Sequence, residues 1–568
     1  MEKPADQSIE GVDHVSYVNS TVDTPAEEDA RPHLHSKTFL IVLAMYAIQF
    51  ALLIQLVAAG AFAADVAAVI GGSDKSSWML TALTITFVVL APPISQAADY
   101  WGRRWFLIIL CMIGFVGTLV ASLATSMGMA IAGEVLVGAC FAATPLTLAV
   151  VSEVLPHRLR LVAQAGISIA NNLGSIFALL LGAALIRSKG PGGFRILFYI
   201  NAGMFVLTAL VTFFFYRPPV RELQQSLTTK EKLLKLDWIG YGLILVAAVL
   251  FVAGLSWAQN PYPWRDAHVL APFVLGCVFF IILGIYSWKI KKDGLIHHAL
   301  FSRDRNCALA FGGVFCEGLI FGVTNVFLPT QLIGVYGASA FRLSLVYTTA
   351  VLVSCMVAPA AVFICYRYKQ LRILAVAGFV SFLIYGITMA TSIVSGEAAF
   401  WGCQAFLGCG LMLVLSALVT AAQLSAPSEF ISITSGLIAS IRSLGVTVAV
   451  AIGEGIFHGQ IAKVLPEKVA AAAIGNGLPK SSLGELLTDL TSGNAQDMLK
   501  IPGITTAIVE SSLLALKHAY LDSVHDVWYA CCAFAAIGLI LSIFVLDPVK
   551  DLNNRIDAPV ESERELYG

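Results

Sequence analysis

Fourteen stretches of this chain are each apolar over about 20 residues, the length a helix needs to cross the hydrocarbon of a bilayer. They fall at 38–62, 76–98, 105–124, 129–151, 162–186, 196–216, 238–257, 269–290, 308–332, 344–366, 371–393, 399–422, 433–456 and 526–546. A segment surrounded by lipid must satisfy its own backbone hydrogen bonds, so stretches of this length become helices. The charge content agrees. Asp, Glu, Lys and Arg supply 12% of the 568 residues while 58% are hydrophobic, and a soluble domain carries about twice that charged fraction. The expected class is therefore an all-α integral membrane protein with 14 transmembrane helices, and its first partner is the lipid bilayer.

The short loops fix the orientation. With the amino terminus inside, the inner loops hold seventeen Lys and Arg, Arg103, Arg104, Arg158 and Arg160 among them, and the outer loops hold six. Positive charge stays cytoplasmic, and an even number of spans puts both termini there. The first 35 residues are polar and contain no basic region leading into an apolar core. They read as a disordered tail that is not a cleaved signal peptide. The segment 457–525 falls outside and is expected as a folded or partly ordered loop, with an alanine-rich amphipathic stretch near 461–474 and a second possible helix near 504–521.

Several functional classes are disfavoured. Net charge is −1 and no basic tract appears, so nucleic acid is not an expected partner. The eleven cysteines occur singly or as Cys531-Cys532 and never as CxxC; in apolar runs they behave as small hydrophobes, and no metal site is expected. No hydrolytic nucleophile motif, phosphate-binding GKS/T loop or HExxH is present, so neither an enzyme nor an ATP-driven pump is indicated and no cofactor is expected.

Polar groups at membrane depth are costly, about 2.5–3.5 kcal/mol for a charge at a helix centre, and usually functional. Glu134, Glu317, Arg442 and Glu454 are of this kind. Glu317, a third of the way into its span, is the first candidate for proton coupling. Arg442, within SIRSLGV, can pair with a carboxylate across the bundle or face a cavity and an oxygen-rich substrate. Gln49, Gln55, Asn171, Asn172 and Asn325 add hydrogen-bonding capacity that a substrate cavity can use. Small residues at Gly166, Gly174 and Gly182 allow close packing, which also suits helices that slide or rock.

The stretch ADYWGRR, 98–104, lies between the second and third spans. Gly102 permits a tight turn, and Arg103 and Arg104 can bind the carboxylate of Asp99 or helix carbonyl ends. A charge cluster there holds one conformation and must loosen in another. Asp99, Gly102, Arg103 and Arg104 are therefore the candidate cytoplasmic gate.

These residues resemble the signature of the major facilitator superfamily, with Ser95 standing where its first glycine is expected. SEVLPHRLR at 152–160, FFFYRPP at 213–219, LDWIG at 236–240 and GLSWAQNPYPW at 254–264 look like landmarks of its fungal trichothecene efflux pump family, a fourteen-helix drug:proton antiporter branch related to siderophore-iron transporters. The resemblance runs from about 38 to 546. It implies a six-helix bundle at 38–216, linkers and two additional helices within 217–304, and a second bundle at 305–546 that includes the external loop 457–525. The tails are then 1–37 and 547–568. It also implies alternating access driven by protons, with export of a small amphipathic organic substrate, toxin, secondary metabolite or drug, across the plasma membrane. Two departures stand out. Glu134 occupies the place of the fourth-helix arginine, which makes it a second proton-coupling candidate, and the fifth-helix Gly-Pro pair is missing. The alternatives are a proton-coupled siderophore-iron importer and a non-transporting nutrient receptor.

Overall fold

The computed structural model describes residues 36–76, 78–218, 228–258, 262–291, 294, 296–394, 399–479, 482–492, 504–549 and 551–557. The expected disordered tail lies outside these apart from Ser36 and Lys37, as do 493–503 of the external segment and the end of the carboxyl-terminal tail.

Among the described residues, fourteen helices are long and apolar enough to cross a membrane. They are numbered here along the chain, with short connecting helices left unnumbered. The first six are α1 Ser36–Ala61, α2 Trp78–Trp101, α3 Arg103–Ser122, α4 Met127–Val154, α5 Arg160–Lys189 and α6 Phe194–Phe215. Two further helices, α7 Trp238–Trp257 and α8 Ala267–Ile285, follow. The last six are α9 Asn306–Tyr336, α10 Ala340–Tyr368, α11 Leu371–Ala390, α12 Ala399–Ser425, α13 Ile431–Gly475 and α14 Thr506–Ile543. Helix α4 is interrupted by a turn at Phe141–Ala142. Its enclosed Glu134 did not prevent the span.

Polar side chains set several boundaries. Asp237 accepts a hydrogen bond from the Gly240 amide at the start of α7, and Asp266 accepts from His268 at the start of α8. Ser339 and Thr505 do the same for α10 and α14. Such caps satisfy amides that the first helical turn leaves without partners.

Helices α1–α6 pack together as one half and α9–α14 as the other. The halves meet where α2 and the end of α4 face α13 and where α5 faces α10 and α12; α7 and α8 pair with each other and attach through α7 to α2. Glycine allows the closest crossings. A Cβ on Gly174 of α5 would lie 2.5 Å from the Phe50 carbonyl of α1, and one on Gly318 of α9 would lie 2.3 Å from the Arg442 carbonyl of α13. Large apolar side chains such as Phe214, Ile281, Met356 and Phe363 remain exposed, as expected where lipid is the solvent.

The described residues of 457–525 are folded largely as continuations of the two flanking helices, which take in the stretch near 461–474 and most of the possible helix near 504–521. Helix α13 runs 45 residues and α14 runs 38, about 67 and 57 Å at the usual rise, so both continue well past a hydrocarbon core of about 30 Å. Their projecting ends pack with a short helix, Leu483–Ser492, around Leu465, Val469, Ala473, Leu486 and Ala519. Lys468 pairs with Asp522 between the two extensions.

Candidate functional site

The turn between α2 and α3 is made by Gly102, whose φ of +91° belongs to the region glycine occupies without a Cβ penalty. It reverses the chain so that the last turn of α2 and the first turn of α3 share one site. Asp99, 3% exposed, accepts a hydrogen bond from Arg103 Nη2 at 2.9 Å through Oδ1. Its Oδ2 accepts from the backbone amide of Ile433 at 3.2 Å. That amide lies in the first turn of α13, where unsatisfied N–H groups favour an anion. Asp99 thus bridges the two halves. Arg103 also pairs with Glu153 at the end of α4, so one guanidinium holds two buried carboxylates.

Arg104 goes elsewhere. Its Nη2 donates to the Phe213 carbonyl at 2.6 Å, and the guanidinium lies 5.5 Å from the Trp105 and Phe213 rings. Consecutive helical residues point about 100° apart, so Arg103 enters the interface while Arg104 ties α3 to α6. Of the two roles expected for the pair, Arg103 takes the Asp99 carboxylate and Arg104 a carbonyl at the end of a helix. Ser95, in place of the signature's first glycine, meets a glycine from the other half: a Cβ on Gly436 would lie 2.5 Å from Ser95 Oγ.

A second seam beside the first was not anticipated from the sequence. Gln423 of α12 is fully buried; its Oε1 accepts from Ser152 Oγ at 2.6 Å and Gln164 Nε2 at 3.0 Å, and its Nε2 donates to Ser435 Oγ at 2.8 Å. Arg160 adds Nη1 to the Gln423 carbonyl at 3.1 Å and Nε to the Ser152 carbonyl at 3.0 Å. The signal was present in SEVLPHRLR, which holds Ser152 and Arg160, but their shared partner Gln423 lies 271 residues from Ser152. Further in, Ser440 Oγ donates to the Val88 carbonyl at 3.2 Å.

The candidates for proton coupling and substrate binding are distributed among separate places. Glu134 sits within the first half: Gln55 Nε2 donates to its Oε1 at 2.7 Å, and Asn201 Nδ2 donates to Gln55 Oε1 at 3.1 Å. All three are fully buried. Gln49 is also enclosed, donating to Thr147 Oγ1 at 2.5 Å. Gln49 and Gln55 therefore tie α1 to α4 inside the half and do not line an open cavity, a correction to their expected place. Asn171 and Asn172 are half-buried on α5, and Asn325 is exposed on α9 with Nδ2 donating to the Phe321 carbonyl at 2.8 Å.

Glu317 and Arg442 are brought together. Arg442 Nε donates to Oε2 at 2.7 Å and Nη2 to Oε1 at 2.9 Å, a two-pronged pair. Glu317 is fully buried, whereas Arg442 retains 29% exposure and lies 4.6 Å from the Phe321 ring. The pair spans the α9–α13 crossing, where Gly318 and Gly322 let the helices touch. Chemically, this place offers a carboxylate held through both oxygens and further donor capacity on Arg442 beside an aromatic face. Glu454 bonds His458 at 2.9 Å and is partly exposed.

Residues 38–450 match the family model described as Major Facilitator Superfamily. Among curated relatives, the MFS-type transporter gkaD of Penicillium citrinum is 27% identical over 83% of this chain and 78% of its own length. The Trichothecene efflux pump TRI12 of Fusarium sporotrichioides is 23% identical over 84% and 81%, and the efflux pump FUS6 of Gibberella moniliformis is 23% identical over 94% and 93%. A solved bacterial homolog of the human lysosomal transporter Spinster, inward-facing and occupied, aligns with a TM-score of 0.51 at 16% identity, covering 91% of this chain and 99% of that one. At that identity it bears on the fold alone.

Proposed function

This chain belongs to the major facilitator superfamily, and from that premise we propose that it exports amphipathic toxins, secondary metabolites or drugs across the plasma membrane in exchange for protons. It is a multi-pass membrane protein. The bias of Lys and Arg supports a cytosolic placement for the Gly102 end and for both termini. The single observation that carries the reading is the seam between the halves at that end: Asp99 on the Ile433 amide, and Gln423 with Ser152 and Gln164. These bonds cross between separately packed halves, so an alternating cycle must break and remake them. With this end cytosolic, the seam is a closed inner gate. The names of the fungal efflux relatives support export as the direction.

Glu317 is the proposed proton carrier. When ionised it completes the Arg442 pair; when protonated it leaves Arg442 without a counter-charge at the α9–α13 crossing. A proton and a substrate that favour different states of that crossing are linked, as an exchanger requires. Glu134, surrounded by Gln55 and Asn201, is assigned to holding α1, α4 and α6 in register.

The test is flux in reconstituted vesicles with an imposed pH gradient and a panel of labelled trichothecene-like toxins and ferric siderophores. Toxin movement against the proton flow, lost in Glu317→Gln, is the expected result. Proton-driven siderophore movement in the same direction as the protons, with no toxin flux, overturns the reading in favour of an importer. Ligand binding without flux of any compound favours a receptor.

A further inference from the structure

The segment after α14 does not simply trail from the membrane. It leaves the second half tied to it: Leu546 exchanges two hydrogen bonds with Asn306, at 2.8 and 2.9 Å, and Asp547 Oδ1 accepts from the Arg372 amide at 2.8 Å. It then crosses to the first half. The amides of His157 and Arg158, in the connection between α4 and α5, donate to the carbonyls of Arg555 and Asn553, each at 3.0 Å. Leu552 is 3% exposed, so the crossing has a buried apolar anchor. At its far end Asp557 pairs with Arg160 and lies 3.0 Å from His157 Nε2.

We propose that residues 547–549 and 551–557 form a strap that secures the closed gate, with Asp557 as a positioning residue. Arg160 is the link. It holds the carbonyls of Ser152 and Gln423 on opposite halves, and Asp557 supplies the counter-charge that keeps this nearly buried guanidinium, 1% exposed, in place. His157 contributes from the other side, its two ring nitrogens facing the Asp551 carbonyl and Asp557. The strap joins the halves where Gln423 and Asp99 already join them. Opening the gate therefore requires the strap to leave residues 157–160.

The proposal rests on the gate reading above for the movement involved, but its test needs no transport. Hydrogen exchange is followed on the full chain in lipid nanodiscs for the wild type, Asp557→Asn and Asp557→Glu. Losing a charge-assisted hydrogen bond shifts an opening equilibrium by at least about tenfold. Peptides containing the His157 and Arg158 amides are expected to exchange faster by that factor in Asp557→Asn, and so is the peptide containing the Ile433 amide, which reports on the gate itself; Asp557→Glu restores protection at both. Faster exchange at His157 and Arg158 with no change at Ile433 overturns the proposal, because the tail then releases without loosening the gate. Unchanged exchange at all three also overturns it. Failure of every flux assay with normal exchange responses would count against the export reading and leave the strap standing.

Discussion

Glu134 in the first half of the molecule and Glu317 in the second are both enclosed on spanning helices, and the two are held in opposite ways. Glu134 accepts from the amide side chain of Gln55, which in turn accepts from Asn201. Glu317 meets a guanidinium through both oxygens. Both side chains are fully buried, so burial alone does not distinguish their roles. The neighbours do: Gln55 gives Glu134 one hydrogen bond and its Oε2 is buried without a hydrogen-bond partner among the described residues, whereas an ion pair across a helix crossing makes the crossing depend on charge. Asp99 is a third case, a buried carboxylate shared between Arg103 of its own half and a helix amino terminus of the other.

The comparison breaks most directly at Arg442. Arg442→Leu leaves Glu317 buried without its partner, a loss of about 3–5 kcal/mol, and a large fall in thermal unfolding temperature in detergent is expected. The double variant Glu317→Gln/Arg442→Leu recovers a substantial part of it; an undiminished loss in the double variant would show that the arginine acts by packing on Phe321 and not by charge.

Next in size is the gate. Asp99→Ala removes the acceptor for both Arg103 and the Ile433 amide, about 1.5–3 kcal/mol for a hydrogen bond to a charged group, and should favour the inward-open form. Solvent labelling of a cysteine introduced at Gln96 measures this. Labelling equal to that of the parent carrying the same cysteine removes Asp99 from the latch.

The smallest effect is expected at Glu134. Glu134→Gln keeps an acceptor for Gln55, so unfolding should change by less than about 1 kcal/mol, with flux keeping its response to the pH gradient. Loss of that response in Glu134→Gln, with Glu317→Gln normal, would invert the comparison and move the proton site to the first half.

The strap adds a pH test outside the membrane. Burial would raise the Asp557 carboxyl, but the His157 hydrogen bond and the Arg160 charge, with help from Arg555, outweigh it and hold it at about 2, below the ordinary 3.8. A lowered value means that this carboxyl's contribution to docking is complete above 3.8 and is lost as pH falls towards 2. Exchange protection at His157 should therefore not decline through titration of Asp557 on moderate cytosolic acidification, and a decline between pH 7 and 5 in the wild type that is absent in Asp557→Asn would contradict this.

Hydropathy located all fourteen spans because lipid exposure is recorded residue by residue along the chain. It placed the end of α13 too early, at 456, and the start of α14 too late, at 526. Glu454, His458, Lys463 and Glu467 mark where the solvent changes, not where the backbone stops being helical, and the helix continues through them to Gly475. The gate was partly legible for a related reason. Asp99 and Arg103 are four residues apart on one local motif, whereas the Glu153 contact spans 50 residues and the Gln423 contacts more than 250. Local spacing carries no record of partners that only the packed halves bring together. Arg103 and Arg104 find different partners because adjacency in sequence is not adjacency on a helix face.

The uninterrupted run of α13 from Ile431 to Gly475 makes it a lever. Its first turn is pinned by Asp99, and the 19 residues beyond 456 extend roughly 28 Å further out at the usual rise. A few degrees of tilt at the pinned end is magnified into ångströms at the tip. A spectroscopic probe on the far cap would thus register the state of the proposed gate at the opposite end of α13.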